Sequence, residues 1–371
     1  MKILQNYIIK EILGPLLATL GIFTFVLLIG NMLKLADLLL NKGADIRDII
    51  KLFFYLLPYI LSYTIPMAIL TATVLCFGRL ASDSEVTAMK ACGISLYRIG
   101  LPVLIIAFII SLGSVYLNDA VLPASHFASI KLIKGAALKN PAAYLEPGTF
   151  IKSFKGYIVR INSVDNDTLN GILIYQLGEK GPTRTIIAKS GNFITHPNKN
   201  AITLKLTDGT ADEPNPEDPS TFYKLSFKTY NMTLDLEKDL AAGEFRKKFK
   251  DMTIRELKAE IASFKAAGIT SDHIEKEIRE MLTEIHRKIA MAFSSFVFVL
   301  VALPLAINTK KRGKSTGFAI SLIILLVYYL LLFGGISLSL RNIIPPIIGV
   351  WMANAVYFII GALLTFVIIE Q

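Results

Sequence analysis

Six apolar stretches, at about residues 12–35, 52–78, 99–118, 289–308, 317–338 and 344–369, constrain this sequence more than anything else in it. Each is close to or above the roughly 20 residues that a helix needs to cross ~30 Å of hydrocarbon. A chain of 371 residues that is 53% hydrophobic with a mean hydropathy of +0.54 cannot hide all of them in one water-soluble core. The expected fold is an α-helical integral membrane protein with six transmembrane helices, three before and three after a long polar middle. The first stretch is longer than a signal-peptide core, and no small-residue cleavage site follows it, so it is expected to remain as a helix.

Basic residues in the short connections set the orientation. Lys2, Lys10, Arg79, Lys90, Arg98, Lys310, Lys311, Arg312 and Lys314 fall on one side, against Lys34, Lys42, Arg47, Lys51 and Arg341 on the other. The first side is expected to be cytoplasmic, which puts both termini inside and the middle outside. The net charge of +10 is spread over membrane flanks and the polar middle rather than gathered with aromatics. Anionic lipid is therefore a better partner than nucleic acid. Cys76 and Cys92 are the two cysteines and the outer insert has none, so no disulfide or thiolate metal site is expected.

Within the insert, residues 157–161, 171–175, 185–188, 201–206 and 221–227 are short runs of β-branched or aromatic residues, separated by Gly, Asn, Asp and Pro. They read as antiparallel strands of an all-β sandwich or jellyroll. Thr253 and Glu256 form a capping box ahead of a helix ending near Gly268, and a second, charged helix from Asp272 reads as a solvated connector into the fourth span. The expected organisation is membrane helices one to three in residues 1–120, a β-domain in 121–245, a helical connector in 246–286 and membrane helices four to six in 287–371.

Several chemistries are disfavoured. The spans carry no Asp, Glu, Lys, Arg or His near their centres, where ion-coupled transporters keep their coupling group. Gly313, Lys314 and Ser315 imitate the end of a phosphate-binding loop, but Asn308 stands where its first glycine belongs and a membrane helix precedes it. His126, His196, His273 and His286 are scattered and read as surface or packing residues rather than metal ligands. No nucleophile has an assigned base, so an enzyme is not expected, and any ATPase must be another chain.

Residues 79–95, between the second and third spans, have a helical pattern. Asp83 can cap the start, Glu85, Met89 and Cys92 share a face, and Gly93 can end it. It reads either as a lever that engages a motor subunit or as a connector lying on the membrane surface.

At this segment the chain resembles the lipopolysaccharide export permeases, the LptF/LptG (YjgP/YjgQ) family, and is closer to the LptF type. The resemblance rests on Gly78, Arg79, Leu80, Ser84, Glu85, Met89, Ala91, Cys92 and Gly93. It extends to Tyr7, Lys10, Glu11 and Pro15 at the start, and to Pro141, Leu145, Gly148 and Phe150 before the β-insert. In the second membrane half it continues in His286, Arg287, Pro304, Leu305, Arg312, Gly313, Pro345 and Pro346.

The resemblance implies a periplasmic β-jellyroll and a cavity shared with a second permease subunit, LptG-like or another copy of the chain. It also implies a cytoplasmic LptB-like ATPase dimer that uses the ATP, with no cofactor on this chain. Single-span LptC-like and periplasmic LptA-like bridge proteins would receive lipopolysaccharide extracted from the inner membrane. Glu85 would contact the ATPase, with Arg79, Ser84, Met89 and Gly93 in the coupling segment; a solvated helix carboxylate is the other reading of Glu85. Lys34 resembles a lysine that contacts substrate phosphates, or is a membrane-edge lysine that snorkels. Asp37 stands where the LptF pattern has a neighbouring base. The rival classes are an ABC-type mechanotransmission protein, which usually has four spans, and an envelope scaffold, which needs no cytoplasmic lever.

Overall fold

The computed structural model describes residues 2–40, 45–139, 148–154, 156–165, 168–176, 184–195, 201–214, 222–235, 247–266, 271–308 and 314–370. Among the described residues six helices are long and apolar enough to span a membrane: Ile3–Leu38, Ile46–Ser82, Leu96–Ile133, Asp272–Asn308, Thr316–Leu340 and Pro346–Val367. Three precede the β-strands and three follow them, so the chain is a multi-pass helical membrane protein with a β-domain inserted at its middle. The first four spans are 36, 37, 38 and 37 residues long. At 1.5 Å per residue each is about 55 Å, so the apolar stretches seen in the sequence cover only part of each helix, the first part of Leu96–Ile133 and the last part of Asp272–Asn308.

The elements of the membrane unit are α1 (Lys2–Leu40), α2 (Ile46–Ser82), α3 (Glu85–Ala91) and α4 (Leu96–Tyr116), which continues through a π-helical turn (Leu117–Val121) into α5 (Leu122–Lys139). After the strands come a short 3-10 turn (Phe249–Asp251), α6 (Ile254–Ala266), α7 (Asp272–Asn308), α8 (Lys314–Leu340) and α9 (Pro346–Glu370). The chain divides into a unit of Met1–Lys34, Phe53–Ala128 and Lys247–Gln371 and a second of Leu35–Leu52 and Ser129–Arg246.

In the membrane unit α2 and α7 are central. Seventy-two per cent of the apolar window of each is buried, against 11% for α1. One core joins Ile8 and Ile12 of α1 to Ile69, Phe77 and Leu80 of α2, Ile99 and Val103 of α4, and Val299 and Leu303 of α7. A second gathers Phe298 of α7, Tyr328 and Leu332 of α8, and Val350, Ala353 and Tyr357 of α9. Lipid is as apolar as these side chains, so association needs close packing and interhelical hydrogen bonds. Both are present. A Cβ on Gly335 would lie 1.9 Å from the Gly349 carbonyl oxygen, which brings α8 and α9 into backbone contact. The Tyr328 hydroxyl donates to Asn354 Oδ1 at 2.8 Å, and Asn354 Nδ2 donates to the Ala290 carbonyl at 2.9 Å, pinning the three carboxy-terminal helices together.

The second unit contains one six-stranded antiparallel sheet whose order is the order of the chain: β1 (Phe150–Phe154), β2 (Tyr157–Asp165), β3 (Thr168–Gln176), β4 (Arg184–Thr195), β5 (Ala201–Pro214) and β6 (Phe222–Asp235). Strands β2 to β5 contain four of the runs expected from the sequence, β6 contains the fifth from Phe222 on, Thr221 lying outside the described residues, and β1 is additional. Across β2 to β6 the ladder skips one continuous row: Asn162, Gly171, Lys189, Asp208 and Lys228. Every strand changes phase at this row. Val159 and Ile161 point inward before it on β2 and Val164 packs inward after it; Ile186 and Ala188 are matched by Gly191 and Phe193, and Leu204 and Leu206 by Gly209 and Ala211. Gly171 (φ 62) and Asp208 (φ 51) take left-handed conformations on the row. Inward residues from both sides of the crease enter a single core. The β-core is thus one six-stranded meander, bent along a crease that every strand from β2 to β6 crosses.

Candidate functional site

The segment between α2 and α4 is built as a rigid short helix. Ser84 (φ 60) stands at the N-cap of α3 in a left-handed conformation and makes no side-chain cap bond. The expected capping by Asp83 is therefore corrected: the sharp turn after α2 puts Ser84, not Asp83, at that position. Gly93 (φ 79) ends the helix as expected. Its N–H donates to the Lys90 carbonyl at 2.9 Å and that of Ile94 to the Met89 carbonyl at 3.1 Å, a double bond pattern that closes the helix end and requires the left-handed residue.

Val86 is buried, and Met89 packs on the core formed by α1, α2, α4 and α7. The outward face consists of Thr87, Ala88, Lys90, Ala91 and Cys92. Glu85 and Met89 are half-buried rather than displayed with Cys92, because the helix rests on the bundle along the line of Val86 and Met89. Glu85 is held from the side: Tyr7 Oη of α1 donates to Glu85 Oε2 at 2.7 Å. One turn further along α1, Glu11 Oε2 pairs with Arg79 Nη2 of α2 at 2.6 Å. Arg79, Ser84, Glu85, Met89 and Gly93 are thus brought together at one end of the bundle, and Tyr7 and Glu11 join them. The signal for that pair was their spacing of four on one helix face.

At the opposite end of α7 a second polar cluster is sunk into protein. Arg287 Nε and Nη2 reach Glu284 Oε2 and Oε1 at 2.9 and 2.6 Å, with the Tyr63 hydroxyl of α2 against the same guanidinium. Glu284 and Lys288 are buried, and Lys288 Nζ donates to the Met252 carbonyl at 2.5 Å. The reading of this stretch as a solvated connector is corrected for its last turn: the charges from Glu284 onward face protein, and each has a partner.

The π-helical turn contributes neighbouring residues to two elements. Asn118 Nδ2 donates to the Lys288 carbonyl at 3.1 Å, and Asp119 Oδ1 accepts the Ile254 N–H at 2.6 Å, which caps α6. The expected capping box is present: Thr253 N–H donates to Glu256 Oε2 at 2.7 Å and Glu256 N–H to Thr253 Oγ1 at 3.2 Å. A hydrogen bond from Lys247 and that N–H bond hold the Glu256 carboxyl below its ordinary pKa. His126 is paired with buried Asp251. It is a packing residue, and among the described residues no group of His, Cys, Asp and Glu could hold a metal.

Lys34 lies on α1 and its side chain is outside the described residues, as are Pro141, Leu145 and 309–313. An apolar crevice of about 280 Å³ between α4, α7 and α9 is lined by Tyr97, Leu104, Leu300, Leu303, Pro304 and Phe366, among others. It has nothing to bind a phosphate and suits only hydrocarbon.

Comparison with known proteins gives one family model, "Lipopolysaccharide export system permease LptF/LptG", matching residues 6–366. An uncharacterised protein, RP871, of Rickettsia prowazekii is 25% identical over 85% of each chain. The lipopolysaccharide export system permease protein LptF of Escherichia coli K12 is 19% identical, over 98% of this chain and 94% of its own, and that of Shigella flexneri is equally similar.

Proposed function

The chain belongs to the LptF/LptG family of lipopolysaccharide export permeases, matched over residues 6–366, and we propose that it is the transmembrane subunit of an ATP-driven exporter of lipopolysaccharide. It acts in the inner membrane with both termini in the cytoplasm and the β-domain in the periplasm, an orientation supported by the basic bias of the loops at the α3 end. As a permease subunit it carries no reaction of its own. A separate cytoplasmic ATP-binding cassette dimer hydrolyses ATP and engages α3. A second permease subunit completes the cavity, and LptC-like and LptA-like proteins take up the lipid passed along the β-domain.

The observation that carries this reading is the mounting of α3. A solvated connector has no need of a closed helix end, a core contact through Val86 and Met89, and a side-chain tie to another span. A lever needs all three, because force is transmitted only through an element that does not slip or unwind. Glu85 Oε2 is engaged by Tyr7, and the other oxygen of the carboxylate supplies the charge that pairs with a basic groove on the motor. Lys34, at the far end of α1, is assigned to substrate phosphate. The smooth apolar helix faces suit acyl chains, and phosphates need a cation at the membrane rim.

The test is co-purification of the full chain with the cognate ATPase, followed by ATP-dependent release of lipopolysaccharide from proteoliposomes to a periplasmic acceptor. Glu85→Arg is expected to leave membrane insertion intact and abolish ATPase retention. A wild-type chain that retains no ATPase and releases no lipopolysaccharide would overturn the reading.

A further inference from the structure

The motor contact proposed for α3 calls for a side-chain tie to another span, but not for that span to be the first one. Helix α3 follows α2 and precedes α4, so a displacement of α3 reaches those two helices through the backbone. Helix α1 is not its neighbour in the chain, and it is the least embedded span, with 11% of its apolar window buried. Its contacts with α2 run from Ile8 and Ile12, which are fully buried, through Thr19, whose Oγ1 donates to the Ala68 carbonyl at 3.2 Å, to Thr24, whose Oγ1 donates to Thr64 Oγ1 at 3.3 Å. Further on, Ile22, Phe25, Val26, Ile29, Met32 and Leu33 are all about half exposed or more. Helix α1 is therefore held most closely from the α3 end up to Phe23 and Thr24, where Phe23 also stacks on Phe318 of α8, and is more exposed beyond them, with Leu35 as a buried residue near its far end.

At the anchored end two polar ties flank the buried Ile8: Tyr7 to Glu85 on α3 and Glu11 to Arg79 on the last turn of α2. The first goes directly to the element that the motor moves. The second holds the pivot, one turn along, to the helix that leads into it.

We propose that Tyr7 is a positioning residue that couples α3 to α1, so that a stroke delivered to α3 swings the first span as a lever about the Glu11–Arg79 pivot. The inference rests on the motor contact assigned to α3. A lever hinged at residues 7–12 displaces its outer end most: residue 34 lies 27 residues from Tyr7, or about 40 Å along the helix. Small movements at α3 thus become large ones where the assigned phosphate contact, Lys34, stands. The tie is a hydrogen bond to a charged acceptor, the stronger class of such bonds, and it lets one carboxylate hold α1 with one oxygen and meet the motor with the other.

The experiment uses the full chain assembled with its ATPase and second permease subunit. Spin labels at Phe25→Cys on α1 and Leu330→Cys on α8, both exposed, on a Cys92→Ser background, report the α1–α8 distance without nucleotide and with ATP trapped. In the otherwise native chain ATP is expected to shift that distance. Tyr7→Phe keeps the ring and removes only the hydroxyl. It is expected to retain the ATPase and its basal hydrolysis, lose the distance shift, and lower lipopolysaccharide released per ATP roughly tenfold, as loss of a charge-assisted hydrogen bond implies. Glu85→Gln keeps an acceptor for Tyr7 and removes the charge, so it should weaken ATPase retention instead.

A full distance shift and native release per ATP in Tyr7→Phe would overturn the inference and leave the exporter reading standing. Identical defects in the two variants would overturn it as well. A native chain with no ATP-dependent release would remove both.

Discussion

The Glu284–Arg287 pair separates a solvated connector from a buried anchor by energy. Exposed helix pairs at this spacing are worth about 0.3–0.5 kcal/mol, so on the sequence reading Glu284→Ala would be nearly silent. The pair in the structure is bidentate, at 2.9 and 2.6 Å, with side-chain exposures of 9% for Glu284 and 21% for Arg287. Removing one partner of a fully buried pair costs about 3–5 kcal/mol. The residual exposure of Arg287 screens part of that, which leaves about 1–3 kcal/mol. At about 2–4 °C per kcal/mol for a large domain, the melting temperature should fall by about 2–12 °C. Trp351, the single tryptophan, sits 6.2 Å from the Phe293 ring of α7, so its fluorescence during heating in detergent follows separation of α9 from the helix carrying the pair. The double variant Glu284→Gln with Arg287→Met removes both charges and should recover most of the loss, because an uncompensated buried cation, rather than a missing attraction, is what destabilises the single variant. A melting temperature within one degree of native for Glu284→Ala, or a double variant no better than the single, would refute the reasoning.

Two further measurements address other parts of the chain. Gly209→Ala, next to the crease, puts a Cβ 2.5 Å from the Ile187 carbonyl oxygen and 2.4 Å from the Phe227 ring; the neighbouring backbone cannot retreat cheaply. At about 1–3 kcal/mol for overpacking, amide exchange in β4–β6 should accelerate about five- to 150-fold while α7 is unchanged, whereas Gly14→Ala, with nothing within 4 Å, should leave the sheet as it was. Glu256 has a depressed pKa, so the stability it contributes is present above the unfolded carboxylate value and is lost as pH falls through the lower folded one. Amide exchange in the first turn of α6 should therefore stay protected at mildly acidic pH and rise below the ordinary carboxylate range, and Glu256→Gln should flatten that dependence.

Helix existence was legible because spans are specified by length and hydropathy, which a sequence displays directly. The capping box at Thr253 and Glu256 and the helix end at Gly93 were legible for a similar reason: each is a local rule with its partners within five residues. The polar partners were not. Tyr7 and Glu85 are 78 positions apart, and Asn118 and Lys288 are 170 apart; nothing in the composition of either neighbourhood names the other. The run of charges at Glu284, Arg287 and Lys288 suggests solvent exposure, and only the packing against α2 and the turn before α6 reveals that those charges are paired inside. Strand register was open for a different reason. The period-two pattern breaks in every strand at the crease, so a uniform alternation fitted to β2 or β5 would have assigned half of each strand to the wrong face.

The polar ties sort by end, and this has a mechanical consequence. Near the outgoing and returning connections of the β-insert, the π-helical turn, the segment 247–256 and α7 are joined by Asn118 to Lys288, Asp119 to Ile254, His126 to Asp251 and Lys288 to Met252. The ring of Phe127 also carries the Lys247 ammonium at 5.8 Å. Moving any one of these elements alone would strip partners from several polar groups at once, including buried Asn118, Asp251 and Lys288, each loss costing about 1–3 kcal/mol. They therefore move together or not at all. The wider π turn makes this possible, since it aims consecutive residues, Asn118 and Asp119, at two different neighbours. At the other end α1 is fastened by Tyr7 and Glu11 alone among its charged or phenolic described residues near α3. A bundle cross-braced by α7 and the segments beside the β-insert yields first at the span least bound to it, and α1, with 11% of its apolar window buried, is the span with least resistance to displacement.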